Sequence, residues 1–527
     1  MKRFIYILLI CIVFSGCRPA LNPDDDFLVT SPGYDFSRIF ETFWRGMDRN
    51  YLFWSEEPSS LWDPVLTQLP AETQDYIKKY PEAFWDMIYD LYKPRFDALG
   101  VFLPDGQHMG NPKYEEAVNK AVSYFWEMTF GLRDGHFKVN LDLNALPPSV
   151  QMSAPAPWAW PFGSGVVFPG QLRLLQGYMG DEVPFAKAVF FMSNFTETDA
   201  KQNGSTFINF PQINQINMGI YTSENYFYTY NYAESVLNNY FRDPVTVGIQ
   251  EDISMPISNS GGQNALSLLA FGGAMPNLKM VKGKILHSDG GDIAYLSFNY
   301  TFLPDFLNCT MNEVGSTAAN DFMNDFLSEA FFYDPNVKGI IIDVRGNTGG
   351  SQESIGYLLG RLIDTPLTYG YARYKAGEGR LDYTPWTPIQ LMPAPVGKRR
   401  LDNIPIVLIV NSGSLSSAEF LTMAVKALPN GTVVGERTNG SCSDTRDLFT
   451  DNGGGFVSGY FIKEMFGSVA QFADLNHVVN EGFGIPPNRE VIMTINDWQL
   501  FYGLSGVSAR DKQLEAAIKV IDSGRTF

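Results

Sequence analysis

Histidine, cysteine and positive charge are all in short supply in this chain. Four histidines in 527 residues leave few groups for a metal cage or a general base. Four cysteines with no Cys-x-x-Cys pair rule out a zinc ribbon and a disulfide framework, although one bridge between Cys309 and Cys442 stays open. A formal charge of −18 argues against nucleic acid or anionic lipid as the partner. No Gly-Lys-Ser/Thr follows any glycine-rich turn, so a phosphate-binding P-loop is excluded. No internal repeat is visible, and the N-terminal apolar run is too short to span a bilayer as a helix. No metal or organic cofactor is implied.

What is present begins with a targeting pattern. Met1-Lys2-Arg3, an apolar run from Phe4 to Phe14 and then Ser15-Gly16-Cys17 describe an export signal. Cys17 after Ser-Gly resembles a bacterial lipobox, which predicts acylation of that cysteine (a palmitate-type anchor). Residues 1–17 then form a signal peptide and 18–34 a polar tether. Asp24-Asp25-Asp26 favours an outer-membrane location. Losing Lys2 and Arg3 with the signal takes the charge to −20. The remaining length exceeds one core, so two or three domains are expected. An aromatic content of 14% supports large cores or a carbohydrate-facing surface.

Along the chain, helical spacing of apolar residues recurs at Phe36–Phe53, Glu72–Lys79, Pro81–Tyr92 and Tyr114–Phe130, predicting an N-terminal helical domain over 35–143. It closes in Asp134-Gly135-His136, a turn signal. Residues 144–281 are rich in Pro, Gly, Asn and aromatics with short alternating runs, a β-rich insertion or second domain. From 282 to 527 strands alternate with helices: strands at Ile293–Phe298, Val337–Val344, Pro405–Val410 and Gly431–Glu436, and helices at Ala318–Phe331, Gln352–Leu362, within Asn411–Leu428, and at Lys512–Ile521. That order predicts an α/β core with a parallel-rich sheet and crossover helices, whose ligands sit beyond the carboxyl ends of the strands.

Two turns lie at such ends. Ser416 stands between a buried strand and a helix start, where backbone N–H groups lack partners and a nucleophile could meet an oxyanion site. The same residues, Ser416-Ser417-Ala418-Glu419, fit a capping box, in which Ser416 only caps its helix. Asn347-Thr348-Gly349-Gly350 could form an oxyanion loop or simply a turn needing glycine dihedrals. A serine nucleophile needs a base. Of His108, His136, His287 and His477, only His136 sits in a distinctive turn. Lys426, roughly 15 Å along the helix from Ser416, is a poor base.

The stretches GIIIDVRGNTGGS and PIVLIVNSGSLSSAEFLTMAVKALPNGTVVGERTNG resemble the C-terminal processing peptidase and tricorn protease family of serine peptidases. The resemblance covers roughly Asp292 to Ile521. It implies a ClpP/crotonase-like core and places the nucleophile on Ser416. The processing branch carries a catalytic lysine where this chain has Ser441. The tricorn-like branch uses a histidine from an early Asp-x-His loop, matching His136, and a late glutamate, matching Glu481 in Glu481-Gly482-Phe483-Gly484. The resemblance further implies an oxyanion hole from the N–H groups of Ser417 and of Gly349 or Gly350, and a helix-supporting role for Glu419. The implied activity is an envelope-anchored endopeptidase, without nucleic acid, acting on peptides or unfolded protein segments. A non-catalytic peptide-binding relative and a glycan-binding lipoprotein are the competing readings.

Overall fold

The structure is a computed structural model that describes residues 34–58, 70–102, 110–129, 132–141, 253–255, 278–298, 334–394, 402–443, 462–493 and 510–524, less positions 135, 289, 346, 348, 378, 412 and 413, together with 66 and 497. The signal, the tether up to 33, the predicted helix at Ala318–Phe331, and most of the expected β-rich region lie outside the described residues. So do Cys17, His108 and Cys309.

A short strand β1 (Tyr34–Asp35) leads into α1 (Phe36–Asn50). Asp35 caps α1 by accepting from the Arg38 N–H at 3.2 Å, the expected N-cap geometry. Phe36, Ile39, Phe40, Phe43, Trp44 and Met47 recur at helical spacing and are all buried. A 3₁₀ turn (Trp54–Glu56), α2 (Ala71–Lys79), a second 3₁₀ turn (Pro81–Ala83) and α3 (Phe84–Asp97) follow. The sequence pattern stops at Tyr92, yet α3 continues through Pro94. Pro94 has no N–H for the carbonyl four residues back, yet one more turn follows and closes with the Ala98 N–H on the Pro94 carbonyl at 3.2 Å. Then come β2 (Val101–Phe102), paired with β1, and α4 (Pro112–Thr129). The indole N–H groups of Trp44 and Trp85 each donate to the other's carbonyl, at 2.9 and 3.1 Å. This region therefore spends its aromatic side chains on its own core. β3 (Lys138–Leu141) follows just after His136.

The main sheet has seven strands: β4 (Ile253–Met255), β5 (Leu278–Ser288), β6 (Gly291–Phe298), β7 (Val337–Asp343), and three that come after an excursion. That excursion is α5 (Glu353–Leu359), β8 (Leu367–Tyr374) and β9 (Thr387–Leu391). β10 (Ile406–Val410), α6 (Ser417–Ala427) and β11 (Gly431–Gly435) return to the sheet. β12 (Ile462–Phe466), β13 (Ala470–Ala473), β14 (Arg489–Glu490) and α7 (Lys512–Ser523) complete the chain. The sheet order is β14-β11-β10-β7-β6-β5-β4, with β14 through β6 parallel and the last two pairings antiparallel.

Both faces of the sheet are apolar, as a parallel sheet covered on both sides requires. Along β10 Ile406, Leu408 and Val410 face one core with α5 and α6, while Val407 and Ile409 face the other with α7. Smaller pairings serve the site. β3 pairs with β12, and β13 pairs with β8 in a three-stranded sheet with β9. The β3–β12 ladder ties the segment just after His136 to the late part of the chain.

Candidate active site

At the carboxyl end of β10 the chain turns through Asn411 to Ser416 before α6 begins. Ser414 fastens this elbow: its Oγ donates to the Val344 carbonyl at 2.6 Å and accepts from the Asn411 N–H at 3.1 Å. Ser416 then adopts φ +55° and ψ −122°, a conformation an L-residue with a side chain rarely takes. An ordinary N-cap residue sits in the β region. Strain of this kind costs on the order of 1–3 kcal/mol and persists where the surroundings enforce it. The capping-box contacts between Ser416 and Glu419 are present, but lopsided. Glu419 Oε2 accepts from the Ser416 N–H at 3.3 Å, whereas the Glu419 N–H gives its 2.8 Å bond to the Ser416 carbonyl. The capping box is thus built around a serine whose main chain lies outside the usual cap region.

The glycine turn after β7 presses against that hydroxyl. Gly349 has φ +90°, and a Cβ placed on it would lie 2.4 Å from Ser416 Cβ and 2.9 Å from its Oγ. Only glycine permits both the dihedral and the approach. Asn347 sets the turn: its Nδ2 donates to the Phe298 carbonyl at 2.8 Å, and its own carbonyl accepts from the Leu415 N–H at 3.0 Å. Its Oδ1 accepts from the Gly349 N–H at 2.8 Å. This bears on the choice between Gly349 and Gly350 as the glycine-side donor. The Gly349 N–H is committed within the turn, which favours Gly350 of the two as a candidate donor. On the serine side, the N–H groups of 415, 416 and 418 bond to Asn347, Ser441 and Leu415 carbonyls. The Ser417 N–H, first in α6, has no acceptor among the described residues, as expected at a helix start. The Ser417 hydroxyl donates to the Gly350 carbonyl.

Glu419 does more than hold a cap. Its buried carboxylate accepts from Thr438 Oγ1 (2.7 Å), the Gly440 N–H (2.9 Å) and the Ser441 N–H (2.7 Å), besides that of Ser416. Burial pushes its carboxyl up to about 7, against the pull of these four donors. The segment 438–441 is thereby clamped beside the elbow, and the Ser441 carbonyl accepts from the Ser416 N–H at 2.9 Å. Ser441 itself is buried. Lys426 Nζ donates to the Pro486 carbonyl at 2.6 Å, at the far end of α6 as expected from the helical rise. Cys442 is a buried free thiol, raised well above its ordinary value by burial and by the Glu419 and Glu481 charges.

The same 438–441 segment carries the glutamate loop. The Gly482 N–H donates to the Gly440 carbonyl at 2.7 Å, and the Phe483 and Gly484 N–H groups return to the Asn480 carbonyl. Glu481, buried, shares one cluster with His136 and Asp134, with one donor atom of each within 4.8 Å of the others. His136 is half-buried. Asp134 holds its loop in place, although 334 positions separate it from its partner in sequence. Its Oδ1 accepts from the His136 N–H (2.9 Å) and the Ser468 hydroxyl (2.7 Å), and its Oδ2 from the Ser468 N–H (2.8 Å). Burial raises the Asp134 carboxyl while these donors lower it. The spacing of the three groups would admit a divalent ion, but Asp134 already serves three donors as a structural anchor. A histidine facing a carboxylate is the arrangement of a general base and its orienting partner.

Of the residues named from sequence, the structure brings His136 and Glu481 together, with Asp134 beside them, and sets the glycine turn against Ser416. Sequence reasoning undervalued Glu419, Asn347 and Asp134. Each sits inside a quoted motif, but burial and long-range partners are invisible there.

Residues 300–462 match peptidase family S41. Over that segment, less than half of the chain, the sequence is similar to this peptidase family. The match takes in Ser416 and the glycine turn, while His136 and Glu481 lie outside it. Among curated proteins none matches. Solved structures with a likeness include a Parabacteroides merdae ATCC 43184 protein assigned as a peptidase: 19% identity, TM-score 0.46, 93% of this chain and 96% of that one. Mature CPAF in complex with lactacystin is 18% identical, TM-score 0.36, over 46% of this chain and 56% of that one. A Bacteroides fragilis NCTC 9343 protein assigned as an S41 protease is 17% identical, TM-score 0.32, over 48% and 61%. With every TM-score below 0.5 these remain likenesses.

Proposed function

We propose that the chain is an envelope-anchored serine endopeptidase that cleaves peptides or unfolded protein segments through an acyl-enzyme. The observation that carries this reading is the backbone of Ser416, held at φ +55° with its side chain against Gly349. A helix cap needs neither feature, whereas a nucleophile elbow has both a strained turn and an exposed hydroxyl beside oxyanion donors.

In this reading Ser416 Oγ attacks the scissile carbonyl and His136 takes its proton, later returning it to the leaving amine. Glu481 orients the imidazole and stabilises its charged form. The N–H groups of Ser417 and Gly350 receive the oxyanion, each worth about 10²–10³ in turnover. Ser441 occupies the place of the processing branch's lysine, so the base is the histidine. Cys17 supplies the lipid anchor, toward the periplasm or the cell surface. Wild-type protein should cleave fluorescein-labelled casein, while Ser416→Ala and His136→Ala should lose at least about a hundredfold. Cleavage surviving in purified Ser416→Ala would refute the assignment, and complete inertness of the folded wild type would favour a peptide-binding relative. Metabolic labelling with an alkynyl fatty acid tests the anchor, with incorporation expected in the wild type and lost in Cys17→Ser.

A further inference from the structure

One contact between the two loops is not accounted for by the acid–base chemistry. The guanidinium of Arg133, three positions before His136, lies 3.9 Å from the ring centroid of Phe483, two positions after Glu481. Phe483 is 50% exposed, so the guanidinium is a contact the ring keeps at the surface end of the turn. The Arg133 side chain is itself buried, at 6% exposure, and is fixed from behind. Its Nη1 donates to the Glu56 carbonyl and carboxylate, both at 3.2 Å. The Arg133 main-chain N–H donates to Glu57 Oε1 at 2.7 Å and also reaches Tyr51 Oη at 3.0 Å. Tyr51 in turn donates to Glu57 at 3.0 Å. All of these partners belong to the N-terminal helical region.

We infer that Arg133 and Phe483 form a clasp that sets the distance between Glu481 and His136, making both of them positioning residues for the reaction. The inference rests on the peptidase reading above. A planar guanidinium can pair with a carboxylate along its edge and stack on an aromatic face at once, and lysine cannot do both. The clasp therefore carries the rigidity of the helical region, through Glu56 and Tyr51, to the turn 480–484. Without it that turn keeps the Gly482 N–H to Gly440 carbonyl bond, the Arg437 Nη1 to Gly484 carbonyl bond at 2.9 Å and its internal bonds, none of which reaches the helical region. The carboxylate would then be free to drift from the imidazole, and small misplacements of catalytic groups are expensive in rate.

The test is the kinetics of a fluorophosphonate probe, which reacts at an activated serine and separates binding (KI) from the chemical step (kinact). Phe483→Ala and Phe483→Leu should lower kinact about ten- to hundredfold, with KI and the melting temperature little changed. Phe483→Trp should restore the rate, and Arg133→Lys should behave like Phe483→Ala. Wild-type kinact in Phe483→Ala, or full activity in Phe483→Leu, would overturn the clasp. If the wild type takes no probe, or Ser416→Ala takes as much, the peptidase reading fails. The clasp is then decided by NMR titration of the imidazole signal that His136→Ala removes. In Phe483→Ala the titration curve of that signal should differ from the wild type's as the Glu481 carboxylate recedes, and an unchanged curve overturns the clasp.

Discussion

Glu419 ties the elbow at Ser416 to the segment that receives the Glu481 loop, and it does so fully buried. Its carboxyl is raised from 4.5 to about 7 by desolvation. In the folded protein it therefore holds a proton over a range where the unfolded chain has lost it. The stability this contributes is complete below about 4.5 and is lost as pH rises through about 7. The difference is on the order of 3 kcal/mol at most. The melting temperature of the wild type relative to Glu419→Gln should accordingly fall between those pH values, and a pH-independent difference would contradict the account. Gly349→Ala makes a second prediction at this scale. A Cβ 2.4 Å from that of Ser416 must displace the serine or the turn. We expect activity to drop at least about a hundredfold, by analogy with losing an oxyanion donor, while the fold persists in circular dichroism. Neither effect could be read from the sequence. S-x-x-E spells a capping box whether or not the serine takes a positive φ, and a glutamate's burial depends on Thr438, Gly440 and Ser441 folding over it.

Elements were far more legible than their junctions. β10 is a continuous run of branched apolar residues, β7 carries Ile340, Ile341 and Ile342 in a row, and α1 and α7 repeat apolar residues at helical spacing, so one-dimensional patterning identifies them. The capping residues follow the same logic: Asp511 accepts from the N–H groups of Gln513 and Leu514, both at 3.0 Å. What periodicity misses is a second use of the same carboxylate. Arg345 pairs with Asp511 at 2.6 Å and with Asp343 at 2.6 Å, all three nearly buried, so the arginine of the glycine-turn motif locks the last helix beneath the sheet. Breaking a buried pair from one side costs about 3–5 kcal/mol because it strands a charge. Asp511→Ala leaves Arg345 its Asp343 partner, so it should lose about 2–4 kcal/mol in denaturant unfolding, the cap together with one charged hydrogen-bond partner, whereas a loss near 1 kcal/mol would mean that only the cap was removed.

Across the whole molecule, the early helical region and the late turn meet over the site. Ala473 and Val479, which flank the turn leading to Glu481, pack into the aromatic core of α1, α3 and α4. Arg380, on the β8–β9 hairpin, reaches α1 at Asp48 and α3 at Asp86, with its Nη2 2.9 Å from the latter. No local pattern announces such pairings, so the meeting of His136 with Glu481 could be expected from family resemblance alone and not from spacing. The central claim is that Ser416 is a nucleophile activated by a histidine carried in from the other end of the described chain. Intact-mass and peptide mass spectrometry after fluorophosphonate treatment test it most directly. The account predicts one adduct, on the peptide containing Ser416, absent from Ser416→Ala and slowed at least about a hundredfold in His136→Ala. An adduct on another residue, or unchanged labelling of His136→Ala, would contradict it.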